Sequence, residues 1–534
     1  MHSAFDIAVI GSGFAGSITA MIARKLGHSV VLLEKGKHPR FAIGESSTPL
    51  ANLILEELSE RFGLANVRPL AKWGSWQQVH PEIACGLKRG FTFFHHEFGR
   101  VFTDDQSHRN QLLVAASPND CIADTHWFRA DFDAFFAAEA QKLGVAYWDE
   151  TELWGVDMAR KRPIIQGRHR GQPLEIHAEF IIDASGPRGF VHRALDLPEV
   201  PFTHLPSTQA LYSHFTGVKR WDELPTNTIR PAPPYPVDDA AVHHVFDGGW
   251  IWVLRFNNGV TSAGVAATAK LANELKLAEG EAAWQRLLEK LPSVREQFAS
   301  AKAVVPFVHA KRLSFLSGDV AGANWALLPS AAGFIDPLLS TGFPLTLLGI
   351  ERLAKILETK WGRPDFANEL FLYSMQTTVE LATTERLIAA LYATMDDFEV
   401  FSALSLLYFA AASFTESARR LGKSELAGNT FLLGEHSVFG PRFRYCVHLA
   451  LQKPAGARRD HLLQQLQQAI EPVNVAGLAS AERRNWYPAL AEDLYASGVK
   501  LQSTRAEIEA MLLRCGFTRP ELTAQSRTNI QKSP

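Results

Sequence analysis

Hydrophobic and polar positions alternate in recognisable blocks along the chain. Phe5–Ile10 reads FDIAVI, a short apolar run of the kind a parallel sheet buries on both faces. A glycine-rich turn follows. Ser17–Leu26 then carries its apolar residues at helical period, and Ser29–Glu34, SVVLLE, is a second buried strand. Together these predict a strand–helix–strand unit beginning at residue 5. Downstream, Thr48–Phe62 has helical spacing, Gly86–Phe94 is an aromatic strand or loop, Trp127–Leu143 predicts a helix and Glu179–Asp183 a further strand of the first fold. Between residues 200 and 315, Tyr212–Phe215, Trp250–Phe256 and Val260–Ala266 predict an inserted sheet. Leu327–Gly342 returns to the first fold. Beyond Gly342 the pattern turns helical, with a soft boundary near 360, and the tail after Pro520 reads as weakly ordered.

Composition narrows the class. With 534 residues, 46% hydrophobic and 21% charged, the chain can bury its own core without disulfides or a structural metal. A net charge of −2 gives no general attraction to nucleic acid or anionic membrane, and aromatic residues are not interleaved with basic clusters. Cys85, Cys121, Cys446 and Cys515 have no paired spacing, which argues for a reducing compartment and against a cysteine metal site. The N-terminus enters a strand directly, without a signal-peptide pattern. The apolar run Leu404–Phe414 is too short to span a bilayer. The protein is expected to be cytoplasmic.

Gly11-Ser12-Gly13-Phe14-Ala15-Gly16 fits G-x-G-x-x-G between a strand and a helix. The first glycine permits the tight turn, the second lets backbone approach a pyrophosphate, and the third allows close helix–strand packing. The helix N-terminus then offers N–H groups and partial positive charge to phosphates. Glu34, closing the second strand, is placed to accept hydrogen bonds from a ribose. The expected fold class is therefore α/β, a Rossmann-type nucleotide fold with an inserted sheet and a helical C-terminal region. Its nucleotide segments are 1–50, 120–200 and 316–350, with the sheet at about 200–315. Residues 1–360 form one module and 361–534 the helical remainder. His243 and His244 lack a third ligand at metal spacing and read as structural; no metal is expected. No Ser-His-Asp arrangement is legible.

The glycine turn alone does not separate FAD from NAD; two later segments, following it in the expected order, favour FAD. Ile181-Ile182-Asp183-Ala184-Ser185-Gly186-Pro187 resembles the second nucleotide-fold segment of FAD enzymes related to aromatic hydroxylases, and Gly333-Phe334-Ile335-Asp336-Pro337 with Ser340-Thr341-Gly342 resembles their third. His38-Pro39-Arg40-Phe41-Ala42-Ile43-Gly44-Glu45-Ser46-Ser47 resembles a stretch of the flavin-dependent halogenases. Gly248-Gly249-Trp250-Ile251-Trp252 is similar to the core of their W-x-W-x-I-P motif, Gly86-Leu87-Lys88-Arg89 to the segment bearing their key lysine, and Asp336–Gly342 to their halide-side loop. The overall pattern is nearest to the phenol- and pyrrole-acting branch.

That resemblance implies an oxidoreductase of secondary metabolism. A separate flavin reductase supplies reduced FAD, chloride or bromide is oxidised to hypohalous acid, and a lysine holds the oxidant beside a phenol- or pyrrole-type substrate, free or borne by a carrier protein. It assigns Lys88 as that lysine, with Lys72 and Arg89 as rivals. It places FAD against Gly11, Gly13, Phe14, Ala15, Gly16, Glu34, Lys35, Arg40, Ile43, Gly44, Glu45, Ser46, Arg129, Asp183, Gly333, Asp336, Pro337 and Gly342. Halide falls to Thr341 and Gly342, and the wall or tunnel to Trp250, Trp252 and Phe93. Trp250 and Trp252, at i and i+2, face one side of a strand, where they wall flavin from substrate or simply fill core. Glu45 and Ser46 line the channel, or Ser46 or Ser47 caps a helix; Arg129 reaches phosphate or makes an ion pair. Two departures stand out. The tryptophan motif continues Val253-Leu254-Arg255, with arginine for proline, and Leu339 occupies the position of a glutamate in tryptophan-acting members. Arg255 favours the alternative, an FAD aromatic monooxygenase on the same scaffold. Monomer and homodimer both remain open.

Overall fold

The computed structural model describes residues 2–160, 162–224 and 232–523. Strand His2–Ile10 sits inside an eight-stranded sheet among these residues. Val30–Leu33 pairs with it in parallel on one side and Gln172–Asp183 on the other. Ala146–Trp148 and Trp325–Leu327 extend the two flanks, also in parallel. Ile7–Ile10 and Val30–Leu33 are buried throughout, as continuous apolar strands must be when both faces are covered. Helices Phe14–Lys25 and Arg129–Lys142 pack side by side against the sheet. Gly16 makes the tight junction there: a Cβ on it would lie 1.8 Å from the Gly11 carbonyl oxygen.

A second sheet stands beside the first. Its order is Lys302–Ala303, Thr208–Thr216, Thr261–Thr268, Gly249–Arg255, Ala241–Phe246, Gly90–His95, Gln111–Ala115, Trp486–Tyr487, with Val308–Ala310 also on Thr208–Thr216. It reaches beyond the expected 200–315 insertion. Phe91–Phe94 is a continuous buried run, and its strand gains partners on both edges by pairing parallel to Ala241–Phe246 and antiparallel to Gln111–Ala115. The helix expected from Trp127 begins instead at Arg129. Asp124–Trp127 is a strand antiparallel to Cys85–Lys88, and the Trp127 ring stacks on Phe132 at 4.3 Å and on Phe343 at 4.5 Å.

No break in packing marks residue 360. One core runs from Ile7 to Leu501. On helix Phe366–Ala393, Tyr373 donates to the Leu327 carbonyl at 2.8 Å, and the Glu385 carboxylate accepts the N–H groups of His204 and Leu205, each at 2.7 Å. Helix Phe398–Arg420 is long and apolar enough to cross a membrane, but 72% of its apolar window is buried inside the protein. The run Leu404–Phe414 is therefore core. Of the tail after Pro520, residues 524–534 lie outside the described residues.

Candidate functional site

A cavity of about 920 Å³ runs from the glycine turn to the segment Gly333–Thr346. Gly11, Gly13, Phe14, Ala15, Glu34, Lys35, Arg40, Ile43, Gly44, Glu45, Ser46 and Arg129 line its nucleotide-fold side. Gly11 has φ +96°, a conformation that favours glycine, and a Cβ there would meet the Ala184 carbonyl oxygen at 2.8 Å. A Cβ on Gly13 would stand 3.3 Å from Nη2 of Arg129 and 3.9 Å from Nη2 of Arg40. Two guanidinium groups thus converge over the glycine turn. They are not equivalent. Arg129 is paired with Asp133 at 2.8 Å and donates to the Ile43 and Gly44 carbonyls. Asp133 also accepts the Phe14 N–H at 3.1 Å. Arg40 is less committed, with a 3.4 Å contact to Glu34 and a buried Nε that has no hydrogen-bond partner.

Burial alone would raise the Glu34 carboxyl. Arg40 and the donors on Gly36 and Ser12 outweigh burial and hold it below the usual range, so it is an anion. Glu45 is buried, accepts from His214 at 2.7 Å through one oxygen and leaves the other unpartnered at the cavity wall. Helix capping falls to neither Ser46 nor Ser47. Thr48 caps Pro49–Arg61, accepting the Ala51 N–H at 3.2 Å.

The opposite wall comes from the second sheet and the C-terminal helices. Trp250, Trp252 and Leu254 face the cavity as i, i+2 and i+4 of one strand. Arg255 therefore points the other way, to Asp238 at 3.2 Å and the carbonyls of Val218 and Lys219. It puts no charge in the cavity. Trp250 Nε1 donates to Asp336 at 3.3 Å, and Tyr392 Oη donates to the same carboxyl at 2.9 Å. Burial pushes the Asp336 carboxyl up to about 7 despite these bonds and the Leu338 N–H. Gly333, Asp336, Pro337, Thr341 and Gly342 all line this end. Leu339 (φ 63°) and Ser340 (φ 54°) are both left-handed without being glycine. The sharp reversal they make brings Thr341 and Gly342, at the start of helix Gly342–Lys360, onto the cavity wall, the end of a helix that carries unpaired N–H groups and partial positive charge. A Cβ on Gly342 would meet nothing within 4 Å.

Lys88 is not in this cavity. It is fully buried on the far side of Ser46, donating to Ser46 Oγ at 2.9 Å and to the Ser47 carbonyl. Its Nζ sits 3.7 Å from the centre of the Phe91 ring. Phe91 lines a second cavity of about 170 Å³, with Tyr408, Phe409, Val114, Met511 and Phe517 among its apolar walls. One ammonium thus touches a wall residue of each cavity. Burial lowers its proton affinity and nearby Asp124 raises it. The rivals lie elsewhere: Lys72 lines the second cavity and donates to the Cys515 carbonyl at 3.1 Å, while Arg89 is tied to Asp120 at 2.7 Å.

Three expected contacts are corrected. Asp183 is fully buried behind the cavity, where it binds the N–H groups of Ser185 and Val191 and so shapes the turn. Gly16 packs on Gly11 and does not line the cavity. Phe93 is enclosed between His243, stacked at 4.4 Å, and Phe401 and Phe409 of helix Phe398–Arg420. His243 itself lines the cavity and stacks on Trp250 at 5.1 Å; burial, aided by the Lys88 charge, pushes it down to about 3. Sequence reasoning missed Tyr392 and His214, which no local motif marks.

An elongated anionic dinucleotide fits this lining. The open glycine turn, the under-committed Arg40 and the orphaned Glu45 oxygen suit the polar half, and the Trp250–Trp252 face suits a flat ring. The tryptophan halogenase sequence family matches residues 122–400, and an NAD(P)-binding Rossmann-like domain matches residues 9–49. The chain belongs to the tryptophan halogenase family. Among relatives, the tetracycline 7-halogenase of Kitasatospora aureofaciens is 29% identical over 378 residues, covering 69% of this chain and 66% of that protein. Monodechloroaminopyrrolnitrin halogenase of Pseudomonas fluorescens is 28% identical over 411 residues, covering 76% and 70%. The structure of halogenase PltM in complex with phloroglucinol and FAD superimposes with a TM-score of 0.78 at 23% identity, covering 90% of this chain and 99% of that one. The fold of this family member is thus the FAD-binding halogenase fold, C-terminal helices included.

Proposed function

We propose that the protein is an FAD-dependent halogenase that uses reduced flavin, oxygen and chloride or bromide to halogenate an electron-rich ring of phenol or pyrrole type. The observation that carries this reading is Lys88, wholly buried between two cavities and in contact with a wall residue of each. Relatives named for tetracycline, monodechloroaminopyrrolnitrin and a phloroglucinol complex all concern electron-rich rings. Leu339 puts no carboxylate at the position that a glutamate fills in tryptophan-acting members, in keeping with substrates that need less electrostatic help.

Bound FAD, when reduced, supplies with oxygen the oxidising power that turns halide into hypohalous acid. The chain's own residues do the rest. Arg40 and the glycine turn hold pyrophosphate, with Glu34 at the ribose. The N–H groups of Thr341 and Gly342 hold halide. Trp250 and Trp252 wall the ring from the substrate. Lys88 donates a hydrogen bond to the oxygen of the hypohalous acid in a water-poor setting. As the ring carbon bonds to halogen, the halogen–oxygen bond breaks with its electron pair going to oxygen. The Lys88 proton completes water, and the ring proton returns to the amine. The second cavity, walled by Phe91, Tyr408 and Phe409, takes the aromatic substrate, free or on a carrier protein. Reduced flavin comes from a separate reductase. With four unpaired cysteines, the cytoplasm is the proposed compartment.

The aromatic monooxygenase alternative drew on Arg255, whose guanidinium lies on the far face of its strand. Mass spectrometry of reactions with FAD, a flavin reductase, bromide and a panel of phenols, pyrroles and indoles separates the two. Brominated product that depends on the reductase supports the proposal. Hydroxylated product with NADPH alone, and none brominated, defeats it.

A further inference from the structure

Asp124 is a second buried charge that the proposed chemistry has not used. It is directly opposed to Lys88 in the antiparallel pair Cys85–Lys88 and Asp124–Trp127. Opposed side chains in such a pair share a face, with Cβ atoms about 4.5–5.5 Å apart. Lys88 is 0% exposed and Asp124 7%. Yet the lysine directs two of its three donors to Ser46 and Ser47, and Asp124 is held by Asn52 Nδ2 at 2.8 Å on one oxygen, while its other oxygen is buried with no hydrogen-bond partner. A buried, half-satisfied carboxylate is costly to keep, and Asn52 is spent on keeping it.

Other groups around the lysine do not substitute for it. His126, on the Asp124 strand, and His243, on the neighbouring sheet, are both pushed down by burial and stay uncharged. Helix Phe398–Arg420 presents Tyr408, pushed up and neutral, and Glu416, which is matched by Arg420 at 2.8 Å. Asp124 therefore supplies the negative field at Lys88.

We propose that Asp124, steadied by Asn52, is a positioning residue that keeps Lys88 protonated, so that the lysine can hydrogen-bond the oxidant and give up its proton as halogen is transferred. This rests on the halogenase reading above. Burial drives Lys88 toward the neutral amine and Asp124 toward the neutral acid, and each draws the other back to its charged form.

The test is the pH profile of kcat for halogenated product, with flavin content and release of hypohalous acid to a diffusible trap measured alongside. Without the carboxylate, Lys88 loses its proton at lower pH. Asp124→Asn is expected to move the alkaline limb to lower pH by on the order of one unit. Product formation then recovers as the solution is acidified, while flavin content and trap reaction hold. Asp124→Glu should restore the profile. Asn52→Leu keeps Asp124 and removes one donor to it, giving a smaller shift in the same direction; it serves if Asp124→Asn does not fold. Profiles that superimpose on wild type, or activity lost equally at every pH, overturn the proposal. Wild-type enzyme that yields no halogenated product at any pH sinks the functional reading itself, and the proposal with it.

Discussion

Arg255 replaces a proline expected in the tryptophan motif, and the structure turns that departure into a matter of stability. Its guanidinium binds Asp238, itself buried, and two backbone carbonyls on the face away from the cavity. Arg255→Ala removes the guanidinium from Asp238 Oδ1 and from both carbonyls and is expected to cost about 1–3 kcal/mol in denaturant unfolding, with flavin content unchanged. Loss of flavin at undiminished stability would put the residue back at the site. Asp336 makes the opposite kind of statement. Its carboxyl rises to about 7 in the folded protein, from the ordinary carboxylate range. Between those values the fold holds a proton that the unfolded chain has released, so this contribution to stability is lost as pH rises from about 4 to about 7. Wild-type melting temperature is expected to fall more steeply over that window than that of Asp336→Asn, whose amide cannot ionise. Equal slopes would contradict the assignment.

At the level of elements, period and register decided what could be read in advance. Trp250 and Trp252 sit two apart, so their shared face followed from strand geometry alone, and the same geometry turns Arg255 away. The glycine turn was legible because each glycine answers a separate steric demand. Asp183 was misassigned because a strand-end acid can serve the turn or a ligand, and only the Ser185 and Val191 N–H groups choose between them. Phe93 was misplaced for a related reason: its strand is buried on both faces, so alternation does not show which neighbour covers it. Tyr392, His214 and Asp124 could not be found locally. Each reaches its partner from a distant segment, Tyr392 across to Asp336, His214 to Glu45 and Asp124 to Lys88.

In the whole molecule, the helical region after residue 360 is part of the enzyme core, not an appendage. It supplies Leu381 and Tyr392 to the first cavity or its hydrogen bonds, Tyr408 and Phe409 to the second, and Glu385 to the loop at His204. A chain ended at residue 360 exposes the core side of those contacts and is expected to show no cooperative melt and no bound flavin. A folded, flavin-loaded fragment would restore a domain boundary there. Lys88 touches a wall residue of each cavity, Ser46 of the first and Phe91 of the second, only in the assembled protein, and the proposed chemistry stands on that contact. The most direct measurement compares wild type with Lys88→Ala in one reaction containing FAD, reductase, bromide and an accepted aromatic substrate, following flavin content, hypohalous acid caught by a diffusible trap, and brominated product. The account predicts that the first two persist and the third disappears. Undiminished brominated product from Lys88→Ala would contradict it.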